Sequence, residues 1–146
     1  MTTLELSQDG TLTQVGEVCE MIHASYICVS PNKKYLYAAH EHIKYLSDKH
    51  QDETFNKAWV SAYSINKETG ALTYINEAAS EGGASCYVEV NERGDRLICA
   101  NYLGGNVAFY SINDDGSITP INYLSLEKPE SGYGPDKDRQ NQSHAH

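Results

Sequence analysis

Residues 61–73 read SAYSINKETGALT, and residues 108–119 read AFYSINDDGSIT. A third copy of the second half of this pattern, QDGTLT, occupies residues 8–13. In each copy a glycine follows an acidic residue or threonine, and glycine readily supplies the positive φ angle that a tight turn requires. The pattern therefore predicts strand, tight turn and strand, repeated along the chain.

A second pattern occurs twice. Residues 24–29 (ASYICV) lead through a turn to residues 34–39 (KYLYAA), and residues 85–90 (SCYVEV) lead to residues 95–100 (DRLICA). Some of these segments are apolar at consecutive positions, which is typical of strands that are covered on both faces. No segment with the period of a helix reaches a useful length.

Together the two patterns predict four strands in each repeat. The strands expected are 26–29, 35–39, 60–65 and 72–78, then 87–90, 97–100, 107–112 and 118–124, with an incomplete pair before them at 3–6 and 12–18. Gly70 and Gly116 are 46 residues apart (116 − 70), which is close to the length of a propeller blade. The expected fold class is therefore all-β, a β-propeller of four-stranded antiparallel blades.

The repeats divide the chain of 146 residues. An incomplete blade (1–23) precedes two blades (24–83 and 84–126), and a loop (127–146) leads toward a further blade. An insertion around 42–57 lengthens the first full blade. A closed propeller needs at least about four blades, so about two and a half blades cannot close a ring, and we interpret the chain as a fragment.

Composition narrows the classes of function. The net charge is −9, from 11 basic and 20 acidic side chains, and the basic stripe of a nucleic-acid-binding protein is missing. No segment approaches the ~18 apolar residues of a membrane helix, and the first residues do not resemble a signal peptide. Four cysteines without CxxC or zinc spacing favour reduced thiols and a cytoplasmic location: Cys19, Cys28, Cys86 and Cys99.

Four short motifs, taken together, resemble one known family. They are GGASCYV (82–88), ANYLGGNV (100–107), DRQ (138–140) and SHAH (143–146). In this order they are similar to the seven-bladed lactonase propellers, which include bacterial 6-phosphogluconolactonase and the fungal carboxymuconate cyclase. The resemblance implies seven blades in the whole propeller. The chain departs from the family at His40, where Asn is common before Glu41, and at Ser143, where Pro is common.

The SHAH motif carries the expected chemistry. His144 and His146 are two residues apart, so on an extended strand both side chains point to one face. An imidazole titrates near neutral pH and can act as a general base toward water. The resemblance implies a catalytic histidine in this motif with a basic partner beside it. We favour His144 as the base and Arg139 as the group that stabilises the developing negative charge or binds an anionic substrate.

Five further residues are expected to bind substrate through the same resemblance, and they are Glu41, Asn101, Tyr102, Gln140 and His146. Alternatives remain open for two of them, because Asn101 can instead brace the following turn and Tyr102 can simply pack. Gly104-Gly105 is interpreted as a backbone requirement and not as a phosphate-binding loop, since no helix follows it. The pairs His40/His42 and His144/His146 offer four nitrogen ligands, but no metal or other cofactor is expected.

The function expected for the whole protein is hydrolysis of a sugar lactone, most specifically 6-phosphogluconolactone to 6-phosphogluconate in the pentose phosphate pathway. Its partner is a small anionic sugar lactone, with no nucleic acid and no membrane. Two alternatives stay open: a cyclase that forms carboxymuconolactone, and a propeller that binds a partner without catalysis. The isolated chain is expected to be inactive, because residues from other blades would complete the site.

The fragment interpretation makes a prediction about solution behaviour. Stacked repeats leave apolar faces open at their ends unless they are capped, so we expect the 146-residue chain alone to be unstable, to self-associate or to aggregate. Size-exclusion chromatography with light scattering, followed by thermal unfolding, measures this. A monomer that melts sharply and reversibly contradicts the interpretation.

Overall fold

The computed structural model describes residues 1–16, 19–41, 58–127, 133–136 and 138–146. Over these ranges the chain forms ten β-strands and no helix, and so contains no helix that could cross a membrane. The strands are β1 (Leu4–Leu6), β2 (Leu12–Gln14), β3 (Ala24–Val29), β4 (Tyr35–His40), β5 (Trp59–Ile65), β6 (Leu72–Ala79), β7 (Ser85–Val90), β8 (Arg96–Asn101), β9 (Asn106–Ile112) and β10 (Ile118–Ser125).

The strands pair in the order in which they occur in the chain. β3 to β6 form one antiparallel four-stranded sheet, β7 to β10 form a second, and β1 and β2 form a separate pair. The expected all-β fold with four-stranded blades is confirmed. The other strands differ from their predicted bounds by one or two residues, but β2 differs by more: it ends at Gln14, because the chain turns at Gly16, whose φ angle is +73°.

The two complete sheets pack face to face. Their shared core contains Tyr37, Ala39, Val60 and Ala62 from the first sheet and Val88, Leu97, Cys99, Ala108, Tyr110 and Ile118 from the second. On the other face of the first sheet, a smaller core of Leu36, Ala38 and Tyr63 packs against Met1, Cys19 and Met21 of the N-terminal segment. Both faces of the first sheet are therefore apolar, as the consecutive apolar residues predict.

Two of the four free cysteines face the shared core. Burial raises the pKa of the Cys28 and Cys99 thiols to about 12, so both stay protonated at neutral pH and pack as small apolar groups.

The two ends of the sheets differ. Tight turns join β1 to β2, β3 to β4, β5 to β6, β7 to β8 and β9 to β10, and all of them lie at one end, which we call the turn end. The described ends of the connections between these hairpins lie at the opposite end, which we call the loop end. Because antiparallel strands alternate in direction, the described residues that directly follow β4, β8 and β10 belong to the loop end.

At the turn end, tyrosines of one sheet hold a glycine turn of the next. The Tyr37 hydroxyl donates to the main-chain oxygen of Gly116 at 3.1 Å, and the Tyr35 hydroxyl donates to that of Asp114 at 3.0 Å. Gly116 has a φ angle of +84°, and a Cβ atom there would lie 2.2 Å from Cδ1 of Tyr35. Glycine is therefore required twice at this position, for backbone conformation and for space.

We predict that Gly116→Ala destabilises the protein more than Gly10→Ala. Gly10 also has a positive φ angle (+87°), but nothing lies within 4 Å of a Cβ atom there. Gly10→Ala should cost about 1–2 kcal/mol for backbone strain, and Gly116→Ala about 1–3 kcal/mol more for the overlap with Tyr35. Urea denaturation of the two variants compares them, and equal losses would contradict the packing argument.

Candidate active site

The predicted site residues meet at the loop end. Glu41 directly follows β4, Asn101 ends β8, and the C-terminal segment 138–146 lies against the same end. The hydroxyl of Ser25 donates to the main-chain oxygen of Ser85 at 2.5 Å, which ties the start of β3 to the start of β7. The Cys86 thiol contacts the main-chain oxygen of Ala145 at 3.5 Å, so the tail lies against the start of β7 as the start of β7 lies against the start of β3.

Cys86 is a residue that the sequence analysis did not select. β3 and β7 each carry a bulge, between Ala24 and Tyr26 and between Ser85 and Tyr87, and these bulges leave Ser25 and Cys86 at equivalent places. Each side chain reaches the main chain of the segment beyond it. Aligning the two strand pairs residue by residue would have revealed this equivalence.

The two histidines of the SHAH motif both contact Tyr102. The His144 ring stacks on the Tyr102 ring, with centroids 4.2 Å apart and an interplanar angle of 16°. The His146 ring meets Tyr102 edge-on, with centroids 6.1 Å apart. His144 is half-buried and His146 is exposed. The structure therefore brings Tyr102, His144 and His146 together from segments that lie 42 residues apart in the chain.

Both ring nitrogens of His144 face main-chain oxygen atoms. Nδ1 lies 2.9 Å from the oxygen of Tyr102, and Nε2 lies 2.9 Å from the oxygen of Arg139. A neutral imidazole donates through only one nitrogen, so only the doubly protonated ring satisfies both oxygen atoms. To accept a proton from water, His144 must release one of these two contacts.

Arg139 and Gln140 lie in a short turn next to His144. The carboxylate of Asp136 accepts the main-chain N–H of Arg139 at 3.2 Å, and Oε1 of Gln140 accepts the main-chain N–H of Asp136 at 3.1 Å. The Arg139 residue is exposed. The turn thus holds Arg139 beside His144 through the main chain, while part of the Gln140 amide is used to stabilise the turn itself.

Asn101 lies beneath this cluster and has no exposed surface. Its Oδ1 accepts the hydroxyl of Ser85 at 2.6 Å, and its Nδ2 donates to the main-chain oxygen of Ser80 at 2.8 Å and to Oδ1 of Asn106 at 3.0 Å. These bonds are those of a bracing side chain, which is one of the two alternatives above. Direct contact between Asn101 and a substrate would require this network to open.

Two glycines of the family motifs are packed against the same network. A Cβ atom at Gly104 would lie 2.5 Å from Oδ1 of Asn106 and 2.8 Å from the Cα atom of Gly82. At Gly105, with a φ angle of +58°, a Cβ atom would lie 2.6 Å from the main-chain oxygen of Ser143. The glycines allow the loop after β8 to meet the tail closely, as a backbone requirement would.

Glu41 and His40 mark the equivalent place in the first sheet. Glu41 is half-buried and lies near Cys86, where its charge adds to the effect of burial in raising the pKa of the thiol. His40 is buried and stacks on Trp59 at 4.7 Å, and its ring nitrogens lie 2.5 Å from the oxygen of Ile22 and 2.5 Å from Oγ of Ser61.

The metal alternative concerns His42, which lies outside the described residues. Among the residues that the structure does describe, no group of three or more His, Cys, Asp or Glu side chains is arranged to hold a metal ion.

The fold and this site together define the class of protein. The chain belongs to the lactonase family of seven-bladed β-propellers, because residues 1–146 match the family "Lactonase, 7-bladed beta-propeller".

Relatives with an assigned name agree with this family. The chain is 34% identical over 88 residues to a 6-phosphogluconolactonase of Bacillus subtilis, covering 60% of this chain and 24% of the relative. It is 27% identical over 140 residues to a 6-phosphogluconolactonase of Formosa agariphila, covering 96% of this chain and 36% of the relative. A crystal structure of a putative 6-phosphogluconolactonase from Bacteroides fragilis superposes with a TM-score of 0.81 at 28% identity, covering 98% and 36%. The chain thus spans about a third or less of the length of these proteins.

His40 predicts a pH dependence of stability. Burial lowers its pKa from the ordinary value of 6.5. As the pH falls below about 6.5 the unfolded chain binds a proton at His40 before the folded protein does. The contribution of His40 to the free energy of unfolding is therefore fully present above pH 6.5. It is lost as the pH falls toward the lowered pKa of the folded protein, by up to about 1.4 kcal/mol per pH unit.

The variant His40→Asn tests this dependence, because Asn101 fills the equivalent place in the second sheet without a titrating group. Urea midpoints at pH 7.5 and pH 5.0 should differ less for His40→Asn than for the unchanged protein. His146→Asn, at an exposed position, is the control. An unchanged pH dependence in His40→Asn would show that other groups are responsible.

Proposed function

We propose that the polypeptide containing this chain hydrolyses a sugar lactone, specifically 6-phosphogluconolactone to 6-phosphogluconate in the pentose phosphate pathway. The observation that supports this most directly is the cluster of Tyr102, His144 and His146 beside Arg139 at the loop end. Two relatives that carry the name 6-phosphogluconolactonase support the choice of substrate.

In the proposed mechanism His144 is the general base. It takes a proton from water while the water oxygen attacks the lactone carbonyl carbon, and the carbonyl oxygen becomes negatively charged. The ring C–O bond then breaks, the carbonyl re-forms, and the departing alkoxide takes from His144 the proton that the ring removed from water. Binding of substrate would move Nε2 of His144 away from the main-chain oxygen of Arg139, to which it is now directed at 2.9 Å.

Arg139 supplies the positive charge in this proposal. Its guanidinium stabilises the oxyanion or binds the phosphate of the substrate, and a planar guanidinium suits both groups. A local cation matters here because the chain as a whole carries a net charge of −9, which disfavours the approach of an anionic substrate.

The remaining predicted residues position the substrate. The exposed His146 and the half-buried Glu41, at the edge of the cluster, contact hydroxyl groups of the sugar, and Tyr102 provides an apolar wall. Gln140 acts from the turn that holds Arg139. Asn101 contributes from beneath by fixing the end of β8, from which Tyr102 projects.

Three further parts of the proposal concern the cofactor, the location and the isolated chain. The proposed mechanism uses no cofactor, because His144 activates the water. The location is cytoplasmic, which four free cysteines support. The 146-residue chain by itself is inactive, since a site at the end of a propeller draws residues from blades beyond those present.

The test is hydrolysis of 6-phosphogluconolactone by the polypeptide that contains this chain, corrected for spontaneous hydrolysis. His144→Ala should lower kcat by roughly 10²–10⁴-fold, the usual contribution of a general base. Arg139→Gln should raise KM or lower kcat by about tenfold or more, because a charge-assisted hydrogen bond is lost. Arg93→Gln is the matched control, since Arg93 is exposed in the turn between β7 and β8, at the turn end.

The outcomes separate the parts of the proposal. A large loss in His146→Ala with little change in His144→Ala would reverse the assignment of the base. Absence of turnover in a well-folded protein would overturn the substrate, and carboxymuconolactone would then be assayed. Normal turnover in both histidine variants would remove this cluster from the catalytic mechanism.

A further inference from the structure

One asparagine joins the two complete sheets by a pair of hydrogen bonds to a single residue. Nδ2 of Asn76, in β6, donates to the main-chain oxygen of Ile118 at 2.8 Å, and Oδ1 of Asn76 accepts the main-chain N–H of Ile118 at 3.0 Å. Ile118 is the first residue of β10, just after the Gly116 turn. A carboxamide can donate and accept at once, as a peptide group does, so Asn76 fixes the position of β10 along β6.

Asn122 occupies in β10 the place that Asn76 occupies in β6. Each lies six residues after a turn glycine, Gly70 or Gly116. Each also directly follows the bulged residue of its strand, where the register shifts between β5 and β6 and between β9 and β10. Asn76 is half-buried between the sheets, whereas Asn122 is exposed.

The side chains around Asn122 are apolar and uncovered. Ile98 in β8 stands where Tyr37 stands in β4, but Tyr37 is fully buried and Ile98 is 37% exposed. Ile121 and Leu124 in β10 are 55% and 57% exposed. Their counterparts in β6, Ile75 and Ala78, pack against the shared core. This face of the second sheet therefore carries apolar residues at the same places as the face by which the first sheet packs on the second. In the described residues no sheet covers it.

The pair of hydrogen bonds that Asn76 makes to Ile118 does not occur in every repeat. Gly16 lies six residues after Gly10, at the place that corresponds to Asn76, and it has no side chain to offer. There the backbones meet directly, because a Cβ atom on Gly16 would lie 2.9 Å from the main-chain oxygen of Thr69. An asparagine at this place is thus a distinct way of joining sheets.

We propose that Asn122 forms a pair of hydrogen bonds to a further four-stranded sheet of the same repeat. This sheet packs on the exposed face of β7 to β10. Its carboxamide binds the main-chain N–H and oxygen of the second residue after the turn glycine of that sheet, as Asn76 binds those of Ile118. A sheet of this kind is expected there because the equivalent face of the first sheet, with Asn76 at the equivalent place, already packs against the sheet of β7 to β10. The chain also spans only 36% of a relative that it matches over nearly its whole length.

The decisive variant is Asn122→Asp in the family-length polypeptide that contains this chain. Aspartate has the shape of asparagine but its carboxylate cannot donate to a main-chain oxygen. We expect the midpoint of thermal unfolding to fall by about 2–4 °C, on the scale of one or two lost hydrogen bonds. Asn76→Asp is the positive control, and Asn141→Asp, in the exposed tail, is the negative control.

The controls in the same polypeptide complete the measurement. Asn76→Asp and Asn122→Asp should lower the midpoint by similar amounts, while Asn141→Asp should leave it unchanged. An unchanged midpoint for Asn122→Asp overturns the proposal, and so does an equal loss in Asn141→Asp. If Asn122→Asp fails to fold, the milder Asn122→Ser is measured in the same way with the same criteria.

Discussion

Burial of sheet faces against one another is the constraint on which this protein depends. A four-stranded sheet that is apolar on both faces cannot expose either one without a large loss of hydrophobic stabilisation. The sheet of β3 to β6 packs against the second sheet on one face, and Met1, Cys19 and Met21 pack against the smaller core on its other face. Strand length, turn chemistry and the position of the loops all serve this stacking.

Stacking also explains why specific polar contacts lie at the edges of the interface. Apolar packing alone allows two sheets to slide, because the hydrophobic effect has no direction. The Tyr37 hydroxyl on Gly116 and the Asn76 amide on Ile118 are directional, and both reach main-chain atoms of the neighbouring sheet. They select one relative position of the sheets among those that bury similar area.

The candidate site follows from the same geometry. Because the strands alternate in direction, the described residues that directly follow β4 and β8 are collected at the loop end, where Glu41, Tyr102 and His144 lie. The tight turns at the other end vary little and hold the sheets in register. A rigid stack thus presents irregular loops at one end, which is how a scaffold separates stability from binding.

At the loop end, some residues lie at the surface and others support the loop from beneath. Tyr102 meets the two histidines at the surface, while its neighbour Asn101 points inward to Ser80, Ser85 and Asn106. Adjacent residues in a strand or at its end face opposite ways, so a short motif can contain both kinds of residue. Several residues of the family motifs are accordingly explained by the support of the loop and not by contact with a ligand.

The sequence by itself determined the strands and the turns. Two-residue alternation, consecutive apolar segments and the glycines at 10, 70 and 116 are local signals, and local geometry decides them. The outline of the site was also accessible, because the spacing of His144 and His146 and the motifs of a family are properties of the chain. The end of β2 was misplaced because a single glycine, Gly16, turns the backbone within the segment 12–18 that the sequence predicted as one strand.

Only the tertiary structure decided which of these residues are free to act. It buried Asn101 in a network, placed Cys86 against Ala145, and set both nitrogens of His144 against main-chain oxygens of Tyr102 and Arg139. Each contact joins segments from different strands or from the tail. The physical reason is that exposure and hydrogen bonding depend on which distant segments meet, and periodicity along the chain carries no information about those meetings.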